Sequence, residues 1–419
     1  MAYWFHRNPL KATTPLTFEL RGVSTNEKTR KIFSDLRQHR NKLLEYLTDP
    51  NHDAHSIETT INDYAALLQG LYMPFGDEPE NKLRRIIKFR WTDSLLGNAT
   101  REAEDAVFEH VSMLINVALW YTKHAAKIAA KEEPNMEEAK EVHKCLRTAS
   151  GIFTYVKTEL VPKLAESVDS AVDTDSRILD AYINQCTAEA QEVTLARAME
   201  LKHSASLVAA LAYETSQIYR RADDALASLD AKTVGKWKKY CALKADFYMS
   251  YAYSFHGEAL LAEDKCGEAI RCLQESVKLY DQASRLAQEY GTQKGPGTSA
   301  RPLNHIFFRR LRPIVKRTLE KCERENGLIY HHKVPFDPPQ LDLKPTYGLV
   351  SPVEFQPVPL SPLWSIDVYK KMDTKTAVKP DPREKEKKPE KEQTLPPVKE
   401  KEYPMSDKDP NTSSGCVIS

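Results

Sequence analysis

A chain of 419 residues with 28% charged and 41% hydrophobic side chains has apolar mass for a full-sized core and charge for a watered surface. That composition predicts a globular protein with room for two domains. The formal net charge of +1 supplies no global field toward nucleic acid, and no RNA- or DNA-binding motif occurs, so nucleic-acid binding is excluded.

The opening MAYWFHRNPLK has no apolar stretch of export-signal length. The longest apolar run, residues 111–121, is interrupted by Ser112 and Asn116 and falls far short of the roughly 18 residues that cross a bilayer. A cytosolic protein without a membrane-spanning helix is expected. In that reducing setting, and with no Cys-x-x-Cys pair, Cys145, Cys186, Cys241, Cys266, Cys272 and Cys322 are expected to be buried thiols.

In chain order, the first signal is LTFEL at residues 16–20, whose alternation predicts a small β element near the amino terminus. From about residue 25 to 330 apolar residues return every three or four positions with few Gly or Pro between them, which predicts stacked amphipathic helices. Phe108, Val111, Ile115, Ala118 and Thr122 trace one core stripe, and Leu179, Ile183, Cys186, Ala190 and Val193 another. Residues 237–290 read as a helix hairpin turning at DKCGEAI, similar to a tetratricopeptide unit. With one convincing copy, a solenoid-like core within a larger helical domain is expected rather than a long array. Asn326-Gly327 predicts a left-handed stop for the helix carrying Thr318, Leu319 and Cys322.

Composition changes after Gly327. Residues 335–370 form a Pro-rich strap that still carries Leu341, Leu343, Tyr347, Leu349, Val353, Phe355 and Trp364, too many large apolar groups for a free linker. The strap is therefore expected to lie against the helices, giving one domain over residues 1–370. Residues 371–419, where Lys, Glu and Pro alternate, predict a disordered tail.

No catalytic constellation is found. There is no His-Glu-x-x-His, no Gly-x-Ser-x-Gly, and Lys294-Gly-Pro-Gly follows a helix without the context of a phosphate-binding loop. His331 and His332 are adjacent on a segment read as extended, face opposite ways and lack a third ligand. The expectation is a protein that is not an enzyme, with no metal and no cofactor.

The tail closes with Cys416-Val417-Ile418-Ser419, in the order Cys, aliphatic, aliphatic, X of a prenylation box. A prenyltransferase needs a reachable thiol, two aliphatic side chains for its pocket and a terminal residue to read; Ser there favours farnesyl. Covalent farnesyl on Cys416 is the one modification expected. A single lipid holds weakly, at about 0.8 kcal/mol per buried CH₂. The twelve Lys or Arg of residues 370–415 are nearly balanced by ten Asp or Glu. Lasting membrane residence is expected to need a protein partner already there.

NPLKATTPL (residues 8–16), FEHVSMLINVALWYTKHA (108–125), ASGIF (149–153), AEAQEV (188–193), GEAI (267–270) and NGLIYHHKVP (326–335) together resemble the BRO domain, the helical module of ALIX and its relatives. The resemblance implies a curved, mainly all-α helical solenoid with a tetratricopeptide-like core. It also implies a groove that binds the carboxyl-terminal amphipathic helix of charged multivesicular body proteins, the ESCRT-III subunits, by helix-in-groove recognition. The matching groove positions are Leu207 and Leu211, one turn apart in SASLVAALAY, with Ala209, Ala210 and Ala212 keeping the surface shallow. By periodicity alone such a stripe is ordinary core; the resemblance assigns it to the groove. Thr194 stands where ALIX has an aromatic, with Val208 and Leu195 to compensate. Lys140 matches a basic groove residue that would meet an acidic helix, and reads equally as a solvated lysine. Met136 replaces an expected acidic residue, and Tyr347 reads as an accessory contact or as packing for the strap. The implied function is a farnesylated, monomeric ESCRT-associated adaptor at the cytosolic face of membranes, endosomal or nuclear-envelope. The alternative is a general tetratricopeptide-like scaffold for other peptide clients, although no Lys/Arg carboxylate clamp stands out.

Overall fold

Side chains able to accept a hydrogen bond stand before seven of the long helices, and each caps its own. Asn26 caps α1 (Glu27–Leu47) in a reciprocal box with Thr29, and Asp53 caps α2 (Ala54–Leu68). Asp105 caps α3 (Ala106–Ala129), and Asn135 caps α4 (Met136–Tyr155) in a box with Glu138. Asp175 caps α5 (Ser176–Glu200), Ser204 caps α6 (Ala205–Ala225) and Asp230 caps α7 (Ala231–Ala262). α8 (Cys266–Thr292) has no side-chain cap and leaves a turn in which Asp264 is left-handed, with φ 60°. A short α9 (Ile306–Arg309), then α10 (Leu311–Glu325) and α11 (Ile366–Lys370) complete the α-helices among the described residues. The computed structural model describes residues 3–18, 26–76, 78–131, 134–165, 172–341, 343–372 and 394–401.

Consecutive helices from α3 to α8 pack on one another, and α10 packs on α8. The α7–α8 hairpin approaches closely: a Cβ on Gly257 would lie 3.0 Å from Leu273 Cγ. α3 is buried almost all round, and its polar residues are therefore partnered inside. Arg40 Nε donates to Glu109 at 2.8 Å, and Glu109 also accepts from the Tyr64 hydroxyl and Trp91 Nε1. Asn116 exchanges two hydrogen bonds with the Lys11 backbone, while Lys11 Nζ lies 3.1 Å from Asp173. The amino-terminal residues are thus threaded through the core.

The β element lies elsewhere than predicted. β1 (Phe89–Thr92) pairs antiparallel with β2 (Thr100–Ala103), Trp91 facing Arg101, and Thr13 bridges to Trp91 from the amino-terminal segment. Residues 16–18 are in no strand and Phe18 is left-handed at φ 55°; Glu19 and Leu20 lie outside the described residues. Pro15, without an N–H, cannot carry the ladder on from Thr13.

The end of α10 is a second correction. The helix runs into a wide turn, Asn326–Tyr330, and the left-handed residue is His331 at φ 55°, not Gly327. The His331 N–H reaches back to the Asn326 carbonyl at 2.7 Å, so the extra turn carries the stop past the glycine. His331 is therefore not on an extended stretch; both it and His332 are exposed.

The strap lies on the helices. Gly151 admits it: a Cβ there would fall 1.7 Å from the Val353 carbonyl oxygen, and Val353 N–H donates to Arg147 O. Gln191 holds it twice, donating to Gly348 O and accepting from Val350 N–H. Trp364 covers Gly70 and donates to Leu67 O.

The tail is not uniformly free, which corrects the expectation for residues 371–419. Residues 394–401 lie extended on the body. Leu395 N–H donates to Asn98 O, Glu400 accepts from Leu10 N–H and pairs with Lys123 at 2.7 Å, and Lys401 pairs with Asp49 at 2.6 Å. The partners lie hundreds of positions away, so charge alternation alone gave no sign of them.

Candidate peptide-binding groove

A cavity of about 350 Å³ opens between α4, α5, α6 and the strap. Helical spacing builds its walls. Met136, Ala139, Lys140 and His143 form one face of α4, and Val193, Thr194, Arg197 and Ala198 line it along α5, with Leu201 just past its end. Leu211 from α6 and Tyr347-Gly348 from the strap close it. Its mouth is apolar: Met136, Leu201 and Tyr347 are 51%, 53% and 55% exposed.

Of the predicted groove residues, Thr194, Lys140, Leu211 and Tyr347 come together at this cavity, and Leu207, Val208 and Leu195 do not line it. Leu207 and Leu211 are 8% and 1% exposed, so the leucine pair is not a bare furrow. For Leu211 the strap supplies the cover. Gly348, at φ +83°, lies over α6 so closely that a Cβ would stand 3.2 Å from Leu211 Cδ2. Leu195 lines a separate small hollow with Tyr3, Met199, Tyr248 and Tyr251, and Val208 is core. Sequence reasoning passed over Leu201, Ala198 and His143; Leu201 sits just beyond the last turn of α5, where the helical stripe alone would have found it.

Polar groups ring the cavity. Tyr347 and His203 share a hydrogen bond at 3.1 Å and an edge-on ring contact, which pins the tyrosine while leaving half its surface free. Thr194 Oγ1 lies 3.3 Å from His143 Nε2, and burial, then the Arg147 charge, lowers the His143 pKa so that the ring is neutral at pH 7. Lys140 pairs with Glu137 at 2.8 Å in the open, a contact worth little and easily exchanged for an acidic ligand.

Among the described residues one trio has ligand chemistry: the ligating atoms of His124, Glu141 and Cys145 lie within 4.8 Å of one another. His124 Nδ1 bonds Pro50 O, and Cys145 donates its S–H to Glu141 at 3.4 Å. Burial, then the Glu141 charge, pushes the Cys145 thiol well up, so it stays protonated and keeps its S–H on Glu141, while His124 Nε2 stands 3.7 Å from Glu141, outside hydrogen-bond reach.

Comparison with known proteins bears on this geometry. The family model described as BRO1-like domain matches residues 9–381. The chain belongs to that family. The BRO1 domain-containing protein BROX of Danio rerio is 49% identical over 419 residues, covering all of both chains. Among solved structures, one described as the structural basis for endosomal targeting by the Bro1 domain superposes with a TM-score of 0.64 at 22% identity, covering 84% of this chain and 93% of that one. A complex of the ALIX BRO1 domain with CHMP4C gives 0.64 at 19%, covering 88% and 99%. The mainly helical BRO1 fold expected from the motifs is thereby shown. Within this BRO1-like domain the motifs are mostly interior: Glu189 of AEAQEV pairs with Arg7 at 2.7 Å, Glu192 accepts from Lys244 at 2.8 and 3.0 Å, and Gln191 binds the strap.

Proposed function

We propose that this BRO1-like domain is an ESCRT-associated adaptor whose α4–α5–α6 cavity takes the carboxyl-terminal amphipathic helix of a charged multivesicular body protein. The observation that carries the reading is an open cavity with three half-exposed apolar groups, Met136, Leu201 and Tyr347, at its mouth. An apolar helix face docks there by burying what the free protein leaves in water. The ALIX BRO1 domain, of the same fold, forms a complex with CHMP4C, which supports the partner class. Leu211 forms the wall behind the strap and Lys140 meets acidic residues flanking the helix. Farnesyl on Cys416, in the Cys-Val-Ile-Ser sequence outside the described residues, holds the adaptor loosely at the cytosolic face of membranes.

The test titrates a labelled ESCRT-III tail peptide against wild type, Leu201→Asp and Leu211→Asp. Leu201→Asp leaves folding intact because the side chain is exposed, and is expected to weaken binding by more than about 2 kcal/mol by setting a charge in an apolar contact. Equal affinity for wild type and Leu201→Asp refutes the groove. Farnesylation is read separately, from the intact mass of protein made in eukaryotic cells beside Cys416→Ser.

A further inference from the structure

α10 is strongly one-sided. Leu311, Val315 and Cys322 are buried beneath it. On the water side a second stripe follows the same spacing: Ile314, Arg317, Lys321, Arg324 and, beyond the helix end, Leu328. Residues 301–333 hold nine Lys or Arg against three Glu, in a chain whose total charge is only +1. Lys321 has Glu325 no nearer than 3.8 Å, and among the described residues Arg317 and Arg324 have no carboxylate within ion-pair reach.

Where this stripe ends, three large apolar side chains stand in water: Leu328 is 75% exposed, Ile329 67% and Phe336 93%. Their backbone is fastened down. Asn326 exchanges two hydrogen bonds with the His332 backbone, Tyr330 donates to Asp264, and Arg271 Nε holds the Phe336 carbonyl at 2.8 Å. Glycine at position 267 lets the segment pass: a Cβ there would lie 2.4 Å from Lys333 O. The tips are therefore held out by ordered structure rather than left over from a loose loop.

We propose that the outer stripe of α10 and the 328–336 tips form a contact surface for an anionic lipid bilayer. Guanidinium groups match phosphate and carboxylate headgroups, and projecting apolar tips enter the acyl boundary. Projection favours a bilayer over an acidic peptide or RNA. A side chain nearly all in water has no neighbouring wall with which to clasp a peptide, whereas a lipid surface accepts protruding groups without a mating pocket. The surface works without the Cys416 lipid; where that lipid is present it adds the second attraction that one prenyl chain and a charge-balanced tail lack.

The experiment uses full-length, unlipidated Cys416→Ser protein and sedimentation with vesicles of phosphatidylcholine alone or with phosphatidylserine. Selective partition to the phosphatidylserine vesicles, weakening with salt, is expected. The triple variant Arg317→Gln, Lys321→Gln, Arg324→Gln is expected to partition about 100-fold less, since each cation near an anionic surface contributes about five-fold. Phe336→Ser is expected to weaken partition several-fold. Helical circular dichroism and groove-peptide affinity of both variants stay at wild-type values, which separates loss of contact from unfolding. Equal partition of wild type to both vesicles, partition to neither, or wild-type behaviour of the triple variant overturns the proposal. Capture on RNA or an acidic peptide that the triple variant loses, without vesicle binding, reassigns the patch. Because this protein cannot carry the prenyl group, failure here leaves the farnesylation reading to its own mass measurement.

Discussion

The two sides of α5 offer an instructive contrast. One side carries Glu189 and Glu192 into the interior, each fully buried and tied to a cation and to tyrosine hydroxyls: Tyr240 donates to Glu189 at 2.7 Å, and Tyr219 donates to Glu192. The other side carries Val193, Thr194, Arg197 and Ala198 to the cavity, with no unusual chemistry. The motif that makes the family recognisable thus builds the scaffold. The face that would meet a partner is plain, apolar and built jointly with other elements.

If that division is right, damage on the inner side costs folding and damage on the outer side costs binding. The largest effect is expected for Glu192→Ala, which leaves the buried Lys244 ammonium unpaired and should destabilise by about 3–5 kcal/mol, read as a lower urea midpoint. Glu192→Leu combined with Lys244→Met should recover most of the loss, and failure to recover would show that the charges do more than satisfy each other.

Next comes Gly151→Ala. The added methyl collides with the Val353 carbonyl, so the strap must lift, and a loss of about 2 kcal/mol is expected together with altered peptide affinity at the cavity that the strap closes. An unchanged hydrogen-exchange rate at Val350 and Val353 would show that the strap is not held there.

A pH-dependent effect also belongs to the interior side. Burial lowers His6 to about 3 and His110 to about 4, so both are neutral in the folded protein, whereas the unfolded chain protonates near pH 6.5. Their contribution is complete above about pH 6.5 and is lost as pH falls toward about 4 for His110 and about 3 for His6, at up to about 1.4 kcal/mol per pH unit for each group. Urea midpoints at neutral pH and about pH 5 should show the decline, and His110→Gln should reduce it.

The smallest effect is expected at the docked tail. Burial alone would raise the Asp49 carboxyl, but hydrogen bonds from Lys401 and Asn51 hold it down to about 2. Lys401→Ala should cost no more than about 1 kcal/mol of global stability yet speed exchange at the Leu395 and residue-401 amides, because the Lys401 side chain is largely exposed and its pair with Asp49 is weak.

Much of the helical body was legible in the residues. The 3.6-residue period sufficed, because a helix is written in neighbouring positions. The β-hairpin was not, since FRWT and TREA are four residues each and their ladder draws on Thr13 far away in sequence. Of the groove, the periodic α4 and α5 positions were open to inspection. The burial of Leu207 and Leu211 was not, because the chain that covers Leu211 arrives more than a hundred positions later.

The amino-acid sequence by itself determined the family, the helical class, the Pro-rich strap and the prenylation box, all carried by local order along the chain. Only the tertiary structure decided which of the apolar stripes face water, where the strap seats, and that residues 394–401 return to the body. Those outcomes depend on groups distant in sequence meeting in space, where burial and charge pairing are set by the whole fold rather than by any segment of it.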